Sequence, residues 1–99
     1  STRVRSSAAS DVYKRQEHIR KDRCGALKVF EEYRNRDSKY GWEIDHIILV
    51  YKGGTDDMSN LQPLHWDNNV AKGGGELVYK VKANGQYNQI NPLWNILLE

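Results

Sequence analysis

The chain is poor in the residues that staple a fold or span a membrane. It holds one cysteine, Cys24, which excludes an internal disulfide and any zinc site built from cysteines. Cys24 itself reads as a small, partly buried hydrophobe. The longest apolar run, Ile47 to Tyr51, is far too short to cross a bilayer. No basic start followed by an apolar core and a small-residue cleavage site is visible, so a cytoplasmic location without membrane contact is expected. Repeats and low-complexity tracts are lacking too. What remains is 99 residues, 38% hydrophobic and 28% charged, enough for one small domain with a thin core.

Residues 1–16, STRVRSSAASDVYKRQ, look foreign to the rest. SSAASDVYKRQ is the plain translation of a widely used transposon sequencing adapter, and no initiating Met precedes it. The segment is expected to be adapter-derived and disordered, leaving 17–99 as the folding domain. It carries a net +3 of the chain's formal +2, which leaves about −1 for residues 17–99. The apparent basicity therefore says nothing about nucleic acid, and affinity for phosphates must come from local patches.

From Glu17 to Lys39 the chain is charged and mildly basic. Ala26–Tyr33 fits a strand at period two or a short helix. A strand leading through the Asn35–Ser38 turn into the next strand is the reading taken. Tyr40–Val50 reads as a strand, with Trp42, Ile44 and His46 on one face and Glu43, Asp45 and Ile47 on the other. Gly53-Gly54-Thr55-Asp56-Asp57 makes a loop, and Leu61–His65 a short second strand, at an edge or start because of Pro63. Asp67 is expected to N-cap a short helix through Asn69, Ala71 and Lys72, ended by Gly73-Gly74-Gly75. The alternation from Leu77 to Val81 predicts a last strand, with Asn84-Gly85 as a turn after it.

The stretch from Tyr40 to Gly73 resembles the HNH endonuclease family, in a branch without zinc. The matching pieces, in order, are Glu43-Ile44-Asp45-His46-Ile47-Ile48, Lys52-Gly53-Gly54-Thr55-Asp56-Asp57, Ser59-Asn60-Leu61-Gln62-Pro63-Leu64, then Asn69 and Lys72-Gly73. An isolated Asp-His pair carries little information, whereas the ordered series with its glycine loop is specific. The resemblance implies an α+β fold: a small ββα-metal core with an added N-terminal strand or hairpin and a C-terminal strand. It implies hydrolysis of DNA phosphodiesters, with RNA left open, using one divalent ion such as Mg²⁺ or Mn²⁺. Asp45 and Asn69 are then the metal ligands, His46 the general base, and Asn60 the residue that holds the loop and orients the histidine.

The chemistry accounts for these residue types. A hard cation favours oxygen ligands and relieves charge on the phosphate and leaving oxygen. Neutral imidazole accepts a proton from water near neutral pH. Each position also has a plainer reading. Asn60 could be a turn amide, Asn68 competes with Asn69 if the helix register shifts by one, and Asp56 and Asp57 read as loop acids. Trp42 and Trp66 read as core. His65 stands where zinc-bearing relatives place cysteine and reads as packed or hydrogen-bonded. Motif-free His18 reads as solvent-exposed. Lys52 and Lys72 are candidates for phosphate contact. Leu49 and Val70 depart from the Pro and the basic residue frequent in that branch. The rival readings are a non-cleaving nucleic-acid-binding module on the same fold and a purely structural domain.

Overall fold

The computed structural model describes residues 18–94. Segment 1–16 and the apolar tail residues Ile96, Leu97 and Leu98 lie outside the described residues. Within them the fold is a small mixed α/β arrangement of three antiparallel hairpins and one helix. Strand β1 (Ile19–Lys21) pairs with β2 (Leu27–Val29). Strand β3 (Trp42–His46) pairs with β4 (Leu61–His65), Asp45 standing opposite Gln62 and Glu43 opposite Leu64. Strand β5 (Val81–Asn84) pairs with β6 (Tyr87–Ile90). Helix α1 (Trp66–Lys72) follows β4 without a linker and packs on both strands of the middle hairpin. No helix among the described residues is long and apolar enough to cross a membrane.

Seven apolar and seven polar side chains are buried among the described residues, so hydrogen bonds must complete what a thin core cannot supply. The apolar cluster is Leu27, Val29 and Tyr40, with Ile19 and Ala83 against it. The polar part is organised by Asp22. One carboxylate oxygen accepts from the Cys24 and Ala26 amides at 2.9 and 2.8 Å. The other accepts from the His65 amide at 2.9 Å and from Asn68 Nδ2 at 3.1 Å. Asn68 in turn takes both backbone groups of Val81. One aspartate thereby ties the first hairpin to the β4–α1 junction, and one asparagine ties that junction to β5. Cys24 is buried there, and burial, helped by the Asp22 charge, pushes its thiol up to about 11.

Several expectations change. The strand expected over 40–50 stops at His46, because Asn60 takes both the N–H and the C=O of Ile48 and turns the chain away from the ladder. Over 26–33 only Leu27–Val29 is extended, and a 3₁₀ turn over Phe30–Glu32 follows. Its antiparallel partner is β1, in the charged stretch where the pattern showed no strand. The strand expected over Leu77–Val81 begins only at Val81 and runs to Asn84, since only from Val81 does a partner strand, β6, run alongside. The C-terminal element is therefore a hairpin, with Gly85 at positive φ opening its two-residue loop.

Helix α1 is capped two residues earlier than expected: its N-cap is His65 rather than Asp67, and His65 Nδ1 accepts the Asp67 amide at 3.0 Å. The ring is available for this because its Nε2 is fixed on the Lys39 carbonyl. Asp67 pairs with Lys80 instead, and Asn69 falls at the start of the second turn rather than in the first. His18 is half-buried and paired with Glu31, not simply solvated. Trp42 and Trp66 are half-buried, and each indole N–H donates to a backbone carbonyl at 2.9 Å.

Candidate functional site

Alternation along β3 puts Glu43 and Asp45 on the face under α1, and Trp42, Ile44 and His46 on the other. The helix meets that polar face with residues one turn apart, Asn69 and Lys72. Asn69 Nδ2 donates to Glu43 Oε1 at 2.8 Å. Lys72 Nζ lies 3.4 and 3.3 Å from the two oxygens of Asp45 and 3.3 Å from the His46 carbonyl. Asp45 also accepts from Gln62 Nε2 at 2.9 Å. Across the seam, Asn69 thus pairs with Glu43 and Lys72 with Asp45.

Glu43 is gripped on its outer side by Arg36, at 2.5 Å from Nε and 2.8 Å from Nη2. This fork, ahead of the bond from Asn69, holds the Glu43 carboxyl below the usual carboxylate range. An ionised carboxylate only accepts, so the Asn69 amino group must face it and the amide oxygen must face away. That oxygen has no side-chain or backbone partner among the described residues. Asn68, the competing asparagine, has its oxygen on the Val81 amide and its amino group on Asp22 and the Val81 carbonyl.

His46 stands at the end of β3 with its side chain 31% exposed. Its Nε2 is 2.8 Å from Asp56 Oδ1, which assigns the proton to Nε2 and the lone pair to Nδ1. Among the described residues Nδ1 has no partner. Asp56 arrives there because Asn60, buried at the foot of β4, closes the intervening loop. Its oxygen accepts the Ile48 amide at 2.8 Å, and its amino group donates to the Ile48 and Thr55 carbonyls at 2.9 and 2.7 Å. Gly54 is required in that loop, since a Cβ on it would lie 1.7 Å from the Ile48 carbonyl oxygen.

Two basic candidates part company. Lys52 is exposed and reaches the Gly74 carbonyl at 3.2 Å. Lys72 is buried, its side chain 3% exposed. Sequence reasoning passed over Glu43, Arg36 and Gln62 as partners of the site and took Asp56 for a loop acid. The signal available was parity: Glu43 lies two residues before Asp45 on the same strand face, and Gln62 is its cross-strand neighbour.

The seam offers a carboxylate and an amide oxygen, donor types that a hard divalent ion accepts. Among the described residues no three His, Cys, Asp or Glu side chains converge. The oxygens on offer are one carboxylate and one open amide, a set suited to a cation that keeps much of its shell as water. The carboxylate already attracts a cation, Lys72, at distances longer than the 2.7–2.9 Å typical of a tight charge-assisted bond.

The family model described as HNH endonuclease matches residues 22–75, more than half the chain and all of the seam described above. Neither a curated protein nor a solved structure gave a match.

Proposed function

The chain belongs to the HNH endonuclease family, and from that premise we propose that it is a metal-dependent endonuclease hydrolysing DNA phosphodiester bonds through a ββα-metal unit made of β3, β4 and α1. Membership implies nuclease chemistry on nucleic acid in general; DNA as substrate and the residue roles are the proposal. Asp45 and Asn69 would hold one divalent ion, Mg²⁺ or Mn²⁺. When bound, that ion would supply charge relief at the phosphate and at the departing oxygen.

The remaining work falls to the chain's own side chains. His46 Nδ1 accepts the proton of the attacking water as the oxygen–phosphorus bond forms. Asp56 on Nε2 keeps that nitrogen protonated and steadies the imidazolium that results. Asn60 is a positioning residue: through Thr55 it sets Asp56, and through Asp56 the ring. Glu43, held by Arg36, takes up the Asn69 amino group, which leaves the amide oxygen for the ion. Lys52, exposed near the helix end, is a candidate contact for a flanking phosphate.

The observation that carries this reading is an imidazole held through one nitrogen only, next in the chain to a buried carboxylate that faces the helix. A supercoiled-plasmid nicking assay tests it. The wild type should nick with Mg²⁺ or Mn²⁺ and stop on chelation. His46→Ala should lose about 10²–10⁴-fold in rate with an unchanged melting curve. Full activity in His46→Ala removes the mechanism; DNA binding without nicking by the wild type leaves a non-cleaving nucleic-acid-binding module.

A further inference from the structure

Resting on the metal-dependent reading above, we propose that Lys72 is an internal counter-ion of Asp45 that competes with the divalent ion. The DNA-free chain then binds metal weakly, and metal binding is coupled to DNA binding. The sequence places Lys72 among residues for phosphate contact, but its ammonium is turned inward. It donates to Asp45 Oδ1 at 3.4 Å and to the His46 carbonyl at 3.3 Å, and its charge also lies 3.3 Å from Asp45 Oδ2. This is a buried position with two N–H groups bonded and the charge paired, not a surface side chain passing by.

Glu43, the other acid on that strand face, is already paired with Arg36. Asp45 and Lys72 therefore form a neutral site before any ligand arrives. A divalent ion bonded to either Asp45 oxygen at about 2.1 Å can stand no farther than about 5.5 Å from Nζ, given the 3.3 and 3.4 Å contacts. At that range, between side chains 3% and 6% exposed, repulsion between the two cations is weakly screened. Asp45 must then be shared or surrendered by Lys72. A phosphodiester oxygen brings one further negative charge to the seam and offers the displaced ammonium a new partner. By linkage, whatever factor DNA adds to metal affinity, metal adds to DNA affinity.

The test is calorimetric titration of Mn²⁺ into the DNA-free full chain, comparing wild type, Lys72→Met and Lys72→Arg. Lys72→Met should bind Mn²⁺ at least about tenfold tighter than wild type, and Lys72→Arg, which keeps the charge, should not. Unchanged or weaker binding by a folded Lys72→Met overturns the proposal. Should Lys72→Met fail to fold, the wild type is compared with and without a duplex carrying a non-hydrolysable linkage. At least about tenfold tighter Mn²⁺ binding on the duplex is expected, and equal affinities overturn the proposal. Chelator-sensitive nicking by the wild type is measured alongside. A chain that nicks but shows no gain in Lys72→Met loses only the counter-ion role, whereas one that neither nicks nor binds Mn²⁺ on DNA loses the nuclease reading itself.

Discussion

Asp22 and Asp45 are buried to nearly the same degree, 8% and 6% exposed, yet they are held in different ways. Asp22 accepts four neutral N–H groups at 2.8–3.1 Å, three of them from the backbone. Asp45 accepts one amide at 2.9 Å and an ammonium at 3.3–3.4 Å, both from side chains. Backbone donors cannot leave without unfolding their segment, so the first carboxylate is architecture. Side-chain donors can rotate away, so the second can exchange partners. Burial alone does not separate a structural acid from one available to a ligand; the kind of donor and its distance do.

The sharpest way to break this contrast is Asp22→Ala. It strands donors from the first hairpin, the β4 end and α1, and should cost about 3–5 kcal/mol, since each buried donor left alone costs ~1–3 kcal/mol. Urea denaturation measures it; a loss under ~1 kcal/mol would show that water replaces the carboxylate. Asp45→Ala should cost less, about 1–2 kcal/mol, because Lys72 sits in the last helical turn beside exposed Gly73–Gly75 and can extend outward. The same variant should give no Mn²⁺ heat when bound to DNA. Equal destabilisation by the two substitutions would erase the distinction.

A smaller effect lies in pH. Burial, acting against the bond to the Lys39 carbonyl and the charges of Asp22 and Asp67, holds His65 below its ordinary value. Unfolded His65 takes up a proton near pH 6.5, whereas folded His65 does so only at lower pH. The unfolded state therefore binds more protons in that window, and stability should fall as pH drops from about 6.5 through the folded value. Thermal melts of wild type and His65→Gln compare the two slopes; a wild type as flat as the variant across that window would acquit His65.

Much of the middle hairpin could be read from residues alone. Leu61–His65 alternates and starts after a loop, and it is a strand over that same span. The glycine-rich loop and the triple glycine after Lys72 end their elements as their backbone freedom requires. The face of Asp45 was legible from parity. Less legible were β1, whose three residues carry no apolar alternation, and the cap of α1, because His65 caps only once Lys39 has fixed its other nitrogen. The inward turn of Lys72 left no local trace, since a lysine before glycine normally reads as solvated.

Local chemistry in the chain determined that Asp45 and His46 occupy opposite faces of one strand, that a glycine loop follows, and that a short helix ends at the triple glycine after Lys72. These follow from periodicity and turn propensity, which act over a few residues. Only the tertiary structure decided which side chains the helix sets against Asp45 and Glu43, and that Asp56 meets His46. Those pairings depend on how β3 and α1 settle together across 26 or 27 residues of chain and on a loop closed by the Asn60 amide. Contacts over such separations are set by packing, which no local pattern encodes.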